Sequence, residues 1–505
     1  MLAAILLLAA CATHQLRDVP LQHSYALPAS QTGTLYRVTA DIELVNGPGK
    51  STYLALPDNR DALHWRLLLA DLATETIDAQ YYLWSGDASG RLLALHLIDA
   101  ADRGVRVRLL VDDVFTINSD TSIVALNSHP NIEVRIFNPW KARGSLLRRA
   151  TEYIGDSRQL NQRMHNKLFV ADNHVAIVGG RNIGNPYFGL GEHYNFRDME
   201  VIMAGPVAED ISDSFDLYWN DDWAIGGDAF APPGYEAPVL STTREELRTE
   251  LQDNNKLNQA GLGKLPHEET WLAELIDASD TGDVWVVYDD PPTAVANDTG
   301  VRKIDKLQGL SKTFKHDLVV ASAYLIPNKE LLDNIQTLTA RGVRVRIITN
   351  SLASTNHTMV NSGYAPWRRR LLEAGVELYE YRGDTPDTRG IVAPGTNTHR
   401  VTLHTKAFVI DKETVYIGSL NMDPRSMHIN TEMGLLIKDP GLAREVLEQL
   451  EDDMRPENAW QVSLDEENQL VWESAEGKTH LQPARGFGQR IADFFYGLLP
   501  IKDQL

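Results

Sequence analysis

Hydrophobic positions along the chain follow helical and strand periods in turn, and the same order of elements is predicted in both halves. The predicted helices are 58–72, 90–103 and 328–341, and the predicted strands are 76–84, 105–111, 319–326 and 343–348. Strands that alternate with helices of this length form largely parallel or mixed sheets with helices on their faces. The pattern therefore predicts an α/β fold.

The two halves are related by an internal repeat. The run Ala101-Asp-Arg-Gly-Val-Arg-Val-Arg returns 238 residues later as Thr339-Ala-Arg-Gly-Val-Arg-Val-Arg. A second repeat, at a constant offset of 239 residues, pairs His165 with His404, Lys167 with Lys406, Asp172 with Asp411, Gly179 with Gly418 and Asn182 with Asn421. Because the repeat includes predicted helices and strands, the duplication is interpreted as one of whole domains.

Each repeated motif is predicted to lie on a β-hairpin. Residues two apart on a strand share a face, so His165 and Lys167 point the same way, as do their counterparts in the second half. Asp172 and Asp411 stand at odd offsets from their histidines and are expected to face away from the site. Both aspartates are therefore interpreted as structural.

The second strand of each hairpin is predicted to end in small residues. These are Gly179 and Gly180 in the first half and Gly418 and Ser419 in the second. We expect the glycines to let the backbone turn tightly. Such a turn would bring Asn182 and Asn421 beside the His and Lys of each motif.

Imidazole, ammonium and carboxamide groups at one place suit phosphate chemistry without a metal. Lys and Asn donate hydrogen bonds to phosphoryl oxygens, and an imidazole can attack phosphorus. Displacement at a phosphodiester also needs an acid for the leaving oxygen, so two copies that face each other make a complete site. A lone His-x-Lys is more often an exposed polar face, but two copies in register favour function. The other histidines form no metal-binding pattern, and no metal or cofactor is predicted.

These motifs resemble those of the phospholipase D superfamily, whose signature HxKxxxxD is followed by a Gly-x-x-Asn type motif and occurs twice per chain. The resemblance covers about residues 52–460. It implies two duplicated phospholipase D-like α/β domains with pseudo-two-fold symmetry and an active site at their interface. It also implies that a downstream acid hydrogen-bonds each catalytic histidine, and the matching positions are Asp198 and Glu432.

Within the superfamily, the chain is most similar to bacterial cardiolipin synthases of the C type. Arg163-Met-His-Asn-Lys, Tyr364-Ala-Pro-Trp-Arg and Asn421-Met-Asp-Pro-Arg-Ser carry this similarity. It implies a phosphatidyltransferase that makes cardiolipin from phosphatidylglycerol and a second phospholipid, for example phosphatidylethanolamine. His165 would form a phosphohistidine and His404 would act as acid and base. A phospholipase D that uses water shares every catalytic residue, and a non-catalytic envelope lipoprotein is a third hypothesis.

Composition and charge restrict the substrate. The formal net charge is −21, and non-specific nucleic-acid binding depends on basic patches, so no nucleic-acid partner is expected. Arg158 and Arg163 lie a few residues before His165 and are predicted to bind anionic headgroups at a membrane surface. A solvated helix face with ordinary ion pairs is the alternative.

The chain has one cysteine, Cys11, at the end of an apolar run over 2–10. Leu8-Ala9-Ala10-Cys11 resembles a bacterial lipobox, which predicts a signal over 1–11, lipidation of the cysteine and a periplasm-facing protein anchored in the cell envelope. The run is too short to span a bilayer. No Lys or Arg precedes it, so an uncleaved hydrophobic start is the alternative.

The remaining chain is divided by changes in composition. The predicted divisions are a tether over 12–50, domains over 51–240 and 306–455, a connection over 241–305 that covers the cleft, and a tail over 456–505. In the tail, Trp460 and Trp472 are predicted to lie on strands. An apolar stripe at helical spacing, which includes Phe487, Phe494 and Phe495, is predicted to pack in the core.

Overall fold

The computed structural model describes residues 16–116, 119–143, 146–231, 240–252, 254–262, 268–278, 281–302, 306–398 and 400–499. The predicted signal over 1–11 and the predicted lipidation residue Cys11 lie outside these ranges.

The first half of the described chain folds into an α/β domain. Its strands are β1 (Thr52–Leu56), β2 (Thr76–Tyr81), β3 (Arg106–Asp112), β4 (Ile132–Phe137), β5 (Leu168–Ala171), β6 (Val175–Gly179), β7 (Asn195–Arg197), β8 (Glu200–Ala204) and β9 (Ala224–Gly226). Its helices are α1 (Gly33–Asn46), α2 (Asn59–Leu72), α3 (Ala88–Asp102), α4 (Asp120–Asn127), α5 (Leu146–Asn161) and α6 (Val207–Trp219).

The sheet of the first domain has the strand order β1-β8-β6-β5-β2-β3-β4-β9. The three strands β2, β3 and β4 are parallel, and every other neighbouring pair is antiparallel. The predicted mixed α/β sheet is therefore confirmed. The carboxyl ends of the three parallel strands meet at one edge of the sheet, and the repeated motif follows β4 at that edge.

The second half repeats this plan after three connecting helices. These are α7 (Leu240–Gln252), α8 (Asn255–Gln259) and α9 (Glu268–Asp277). The later helices are α10 (Pro292–Ala296), α11 (Lys306–Leu310), α12 (Lys329–Ala340), α13 (Thr358–Tyr364), α14 (Arg368–Glu373), α15 (Pro424–His428), α16 (Pro440–Asp453) and α17 (Phe487–Gly497).

The strands of the second half form a longer sheet with the order β10-β17-β16-β15-β11-β12-β13-β18-β19-β20, and β14 lies outside it. They are β10 (Asp283–Tyr288), β11 (Asp317–Ser322), β12 (Arg344–Asn350), β13 (Val376–Tyr381), β14 (Val401–Leu403), β15 (Lys406–Ile410), β16 (Thr414–Gly418), β17 (Met433–Lys438), β18 (Ala459–Leu464), β19 (Leu470–Ser474) and β20 (Gly477–Thr479). Here β11, β12 and β13 are the parallel strands.

The second domain begins at β10, and the predicted boundary at residue 306 is wrong. In β10, Asp283 pairs with Lys438 of β17, just as Thr52 of β1 pairs with Ala204 of β8. Both are antiparallel edge strands that belong to matched positions of the two sheets. A long segment separates β10 from β11. In the sequence, the apolar run of β10 therefore stands apart from the other apolar runs of the second domain and does not indicate that it belongs there.

The two domains share one hydrophobic core. Val178 and Val201 of the first sheet belong to the same cluster of buried side chains as Ile417 and Leu435 of the second. The helices that follow each motif pack on both domains, since α6 contacts β8 and β10 and α16 contacts β16 and β1. A two-stranded parallel ribbon of β7 and β14 also joins the domains. These reciprocal contacts relate the domains by a pseudo-two-fold axis.

The tether prediction is wrong for α1. Leu35, Val38 and Ile42 lie on one face of this helix and are buried in the core of the first domain. The start of the helix lacks the usual signals, because its N-cap Thr32 makes no side-chain capping bond and its first turn has no acidic residue. Leu44 is apolar but exposed, so the apolar residues of α1 do not all lie on its buried face.

The connecting helices lie against the first domain, and the prediction that they cover the cleft is wrong. Leu272 and Leu275 of α9 are buried in the core of that domain. Trp271 packs against Trp65 of α2, with 4.9 Å between ring centroids. The amphipathic α7 packs on α3.

The tail extends the second sheet and ends in an exposed amphipathic helix. The predicted strands that carry Trp460 and Trp472 are confirmed as β18 and β19. The predicted core packing of α17 is wrong, since Phe487, Phe494 and Phe495 are 76%, 65% and 61% exposed. The apolar residues of α17 have the same helical spacing whether this face packs on another element or is exposed to solvent, so the spacing could not distinguish the two cases. No helix in the described ranges is long and apolar enough to cross a membrane.

Both motif aspartates tie the hairpin turn to the start of a parallel strand. Asp172 accepts hydrogen bonds of 2.8–3.0 Å from the backbone N–H groups of residues 74–76. Asp411 makes the equivalent bonds, of 2.7–3.0 Å, to residues 315–317. The carboxylate therefore satisfies donors that the sheet leaves unpaired.

We expect Asp172→Ala to destabilise the protein more than Asp411→Ala, although both accept from three matched backbone N–H groups, and Asp172 also accepts from the Thr74 hydroxyl at 2.9 Å. Asp172 is 1% exposed, whereas Asp411 is partly exposed, so water can replace only the second carboxylate. Hydrogen bonds to charged groups contribute about 1.5–3 kcal/mol, and we expect Asp172→Ala to lower the free energy of unfolding by about 3 kcal/mol or more. Urea unfolding followed by circular dichroism measures both. Equal losses would contradict the argument from burial.

Candidate active site

Backbone pairing across the domain interface brings the two motif histidines together. The N–H of His165 donates to the carbonyl of Thr431 at 3.0 Å, and the N–H of His404 donates to the carbonyl of Arg197 at 2.7 Å. In both cases the acceptor residue directly precedes a predicted acid of the opposite domain. The backbone thus fixes each histidine beside that acid.

Each histidine is hydrogen-bonded to the acid of the other domain. His165 Nδ1 lies 2.8 Å from Glu432 Oε2, and His404 Nδ1 lies 2.6 Å from Asp198 Oδ2. All four side chains are buried. The family resemblance implied an acid for each histidine but did not reveal this crossing. With Nδ1 engaged, Nε2 is the ring nitrogen that can react with a substrate.

The Glu432 carboxylate accepts hydrogen bonds from two hydroxyl groups. Ser419 donates to one carboxylate oxygen, and Ser426 donates to the other at 2.6 Å. Burial raises the pKa of Glu432 to about 7, although Lys167 and the two hydroxyls oppose the shift. This carboxylate therefore attracts a proton on its histidine less than a fully ionised group would.

Asp198 has a different environment at the matched position. Gly180 replaces the serine, and a Cβ at that position would lie 2.5 Å from Asp198 Oδ1. Burial favours the neutral acid, but the hydrogen bond with His404 and the positive charges of Lys406 and Arg181 outweigh it and hold the pKa of Asp198 below its usual value. The two histidine–acid pairs are consequently not equivalent.

The motif lysines are buried cations that line the same site. Lys167 Nζ donates to the carbonyl of His165 and Lys406 Nζ to that of His404, each at 2.5 Å. Burial lowers the pKa of Lys167 to about 7 and that of Lys406 to about 8, against the attraction of nearby carboxylates. An anionic ligand would restore the charge of both.

Both histidines are neutral in the free protein. Burial and the adjacent lysines lower the pKa of His404 to about 3 and that of His165 well below its usual value. The ring of His165 meets Tyr82 edge-on at 4.9 Å, and that of His404 packs on Phe196 at 4.6 Å. A neutral imidazole held in this way can act as a nucleophile. Within the described ranges, no group of three or more His, Cys, Asp or Glu side chains could hold a metal ion.

The two predicted asparagines differ in their bonding. Asn182 accepts from the N–H of Leu83 at 3.2 Å and donates to the Tyr187 hydroxyl at 2.9 Å. Asn421 Oδ1 is buried and has no hydrogen-bond partner among the described residues. This oxygen is an acceptor, so only a ligand group that donates a hydrogen bond, such as a hydroxyl, would satisfy it.

The glycines at the strand ends are required by close packing and not, as predicted, by a tight turn. None has a positive φ angle. A Cβ on Gly179 would lie 2.7 Å from the Cα of Glu200, and one on Gly418 would lie 2.4 Å from the carbonyl oxygen of Met433. Side chains here would push away the strand that follows each acid.

The structure separates the two arginines predicted to bind substrate. Arg163 is buried, lies 3.3 Å from Asp112 and donates to the carbonyls of Asn138 and Leu160. These contacts occupy its guanidinium, so its predicted role as a substrate ligand is wrong and it positions the segment that leads to His165. Arg158 is exposed on α5, and its role stays a prediction.

Sequence reasoning missed several residues that border the site. Ser426 stands at the end of the Asn421-Met-Asp-Pro-Arg-Ser run and lies on α15, but a lone serine carries no signal of its carboxylate partner. Tyr82 lies within the predicted strand over 76–84, and nothing in that pattern indicates a role at the site. Its ring nevertheless also faces Lys167 Nζ at 5.4 Å.

Comparisons with known proteins agree with this geometry. Residues 69–219 and 307–454 match the family described as "Cardiolipin synthase, PLD-like domain". Cardiolipin synthase C of Escherichia coli (strain K12) is 36% identical over 90% of this chain and 96% of that protein. A cardiolipin synthase of Halalkalibacterium halodurans is 26% identical over 72% of this chain and 58% of that protein. The crystal structure of phosphatidylserine synthase from Haemophilus influenzae shows the same fold, with a TM-score of 0.56 and 15% identity over 92% of this chain and 100% of that one.

We expect kcat/KM for an anionic phosphodiester to fall as the pH rises above about 8. The lowered pKa values of Lys167 and Lys406, about 7 and about 8, mean that both lose their charge as the pH rises through this range. The pH profile of kcat/KM reports ionisations of the free protein. Lys406→Arg keeps its charge at these pH values and should shift the descending limb. A wild-type profile that stays flat from pH 7 to 9 would contradict the assignment.

Proposed function

The chain belongs to the cardiolipin synthase family of phospholipase D-like proteins and is a phosphatidyltransferase of that type, and on this premise we propose that it makes cardiolipin from phosphatidylglycerol and a second phospholipid. The observation that carries the proposal is the pair of buried histidines, each held by the acid of the opposite domain at 2.8 and 2.6 Å. Two imidazoles in one site can divide attack and proton transfer between them.

In the first step, Nε2 of His165 forms a bond to phosphorus while the bond from phosphorus to the leaving alcohol oxygen breaks. His404 donates its Nε2 proton to that oxygen. His404 is neutral in the free protein and takes up this proton when the phosphodiester binds, since a nearby anion favours the imidazolium form. Lys167 and Lys406 bind the non-bridging oxygens.

In the second step, the phosphohistidine reacts with the primary hydroxyl of phosphatidylglycerol. His404, now neutral, accepts the hydroxyl proton as the new oxygen–phosphorus bond forms and the nitrogen–phosphorus bond breaks. His165 is released in its original form. We assign Asn182 and Asn421 to the same phosphoryl oxygens as the lysines, as donors through their amide groups.

The environments of the acids support this division of roles. Asp198 keeps a low pKa and so stabilises a protonated His404, which suits an acid. Glu432 has a raised pKa and shares its charge with two hydroxyls, so it favours a neutral His165, which suits a nucleophile.

We place this reaction at a membrane of the bacterial envelope. The lipobox-like run supports an anchor on Cys11 and a periplasmic orientation. Lipid substrates, with phosphatidylethanolamine as one possible donor, suit a protein held at a membrane surface.

Product analysis tests the proposed reaction. Purified protein is incubated with radiolabelled phosphatidylglycerol, with and without phosphatidylethanolamine, and the lipids are separated. Labelled cardiolipin is the expected product. Phosphatidic acid without cardiolipin would mean that water is the acceptor, as in a phospholipase D. No labelled product with either donor would overturn both assignments.

We expect a donor with a p-nitrophenol leaving group to distinguish the two histidines. The p-nitrophenolate anion needs little protonation, and general acid catalysis is worth about 10²–10⁴-fold, so His404→Ala should recover most of its first step on this donor. His165→Ala should remain inactive because no phosphohistidine can form. The burst of p-nitrophenol measures the first step. Recovery in His165→Ala would reverse the roles.

The crossed hydrogen bonds predict how the acids behave in the same assay. Asp198→Asn should resemble His404→Ala and recover on the activated donor, because Asp198 contacts His404. Glu432→Gln should resemble a weakened His165 and lose burst rate on both donors, because it contacts the nucleophile. The opposite pattern would show that each acid acts on the histidine of its own domain.

A further inference from the structure

A cavity of about 720 Å³ opens at the carboxyl ends of the parallel strands in the second sheet. Gly383, which follows β13, lines it together with Arg400, which directly precedes β14. The tail contributes Arg485 and Arg490. His404 follows β14, so the cavity lies beside the site described above and on the same edge of the sheet.

The arginines of this cavity have no carboxylate partner among the described residues. Arg400 donates to the carbonyl of Thr355 at 3.1 Å, and its Nε is buried without a hydrogen-bond acceptor. Arg490 donates to the carbonyl of Gln482 at 2.9 Å. Burial and the like charge of Arg485 lower the pKa of Arg400 to about 10, which is the effect of a cation without a neutralising anion.

The two acids that line the cavity share one arginine outside the lining. Asp384 and Glu476 both form ion pairs with Arg382, the first at 3.1 Å. Lys478, the remaining cation of the lining, pairs with Glu473 at 3.0 Å. The lining has two acids against Lys478 and the three arginines, so the cavity carries a net positive charge.

Aromatic rings connect the cavity to the reacting histidine. The guanidinium of Arg400 lies 5.3 Å from the ring centroid of Tyr194, which packs on Phe196 at 5.1 Å, and Phe196 packs on His404 at 4.6 Å. Arg400 is four residues from His404, roughly 13 Å along an extended chain.

An exposed apolar surface adjoins the cavity. Arg490 lies on α17, the same helix that exposes Phe487, Phe494 and Phe495 to solvent. A basic cavity beside exposed aromatic side chains matches a phospholipid, which has an anionic phosphate next to acyl chains. Free phosphate would use only the first of these features.

We propose that Arg400, Arg485 and Arg490 bind the phosphate of the acceptor phospholipid, and that its acyl chains contact α17. Guanidinium groups suit this task because they donate paired hydrogen bonds to phosphate oxygens. A phosphatidylglycerol held by its phosphate extends its free glycerol hydroxyl from Arg400 toward His404. The inference rests on the proposed transfer reaction, since only a phospholipid acceptor brings a second phosphate.

The test compares two acceptors with one activated donor, the phosphatidyl ester of p-nitrophenol. Phosphatidylglycerol carries the phosphate, whereas glycerol offers the same primary hydroxyl without it. For the double variant Arg400→Gln/Arg485→Gln, we expect kcat/KM for phosphatidylglycerol to fall about tenfold or more, since a charge-assisted hydrogen bond is worth at least that factor. Transfer to glycerol and the burst of p-nitrophenol should be unchanged.

Arg344→Gln is the matched control. It removes an exposed arginine of the same domain that pairs with Glu377 at 2.6 Å, at the amino end of β12 and so at the opposite edge of the sheet. We expect it to behave as wild type with both acceptors. An equal loss with glycerol and phosphatidylglycerol in the double variant would overturn the proposal, as would an unchanged kcat/KM for phosphatidylglycerol.

Binding measurements separate this site from the transfer reaction. In a His165→Ala background, which blocks turnover, the ligands are glycerophosphoglycerol, inorganic phosphate and phosphatidylglycerol vesicles. We expect the arginine substitutions to weaken binding of the headgroup and of the vesicles. If the wild-type protein makes no cardiolipin but this dependence is seen, the site stands and the proposed reaction fails. Dependence on the arginines for inorganic phosphate alone would assign the cavity to free phosphate and overturn the proposal.

Discussion

The two hydrogen bonds that cross the domain interface, from His165 to Glu432 and from His404 to Asp198, are the contacts on which the rest of the structure depends. Neither domain can form one alone, because each supplies a histidine and the acid for its partner. The shared core, the helices α6 and α16 that contact both domains and the ribbon of β7 and β14 all fix this register. A buried carboxylate that lost its histidine would keep its desolvation cost without compensation.

Burial at this interface also sets the chemistry of the site. It lowers the pKa of both histidines and of both motif lysines, so the histidines are neutral in the free protein and the lysines hold their protons less tightly than exposed lysines do. An anionic phosphodiester reverses the balance, because it favours the protonated form of every nearby base. Substrate binding and protonation of the acid are therefore one event. Water could not substitute for the substrate in this respect, since it carries no charge.

The sequence allowed the repeat, the mixed sheets and the facing motifs to be predicted because these follow from periodicity and register within the chain. The crossing of the acids did not follow, because spacing along a strand contains no information about which domain a strand will face. The wrong prediction for Arg163 has a related cause, because its partner Asp112 lies 51 residues away and local spacing does not show such a contact. It explains α17 as well, since an apolar stripe has the same spacing whether or not another surface covers it. The prediction that Asp172 faces away from the site depended, by contrast, only on the alternation of side chains along one strand.

A duplicated site must become asymmetric before it can divide attack from proton transfer. One matched position provides this asymmetry: a serine fits at 419 and bonds Glu432, whereas a Cβ at 180 would clash with Asp198. The resulting difference between the acids favours a neutral His165 and a protonated His404. The basic cavity is a second asymmetry, and it adjoins His404 through Arg400, Tyr194 and Phe196. In a double displacement the incoming hydroxyl takes the place of the leaving oxygen, so the acceptor must lie beside the acid–base histidine. Two independent features of the chain, one in the acids and one in the charge around the site, therefore support the same assignment of roles.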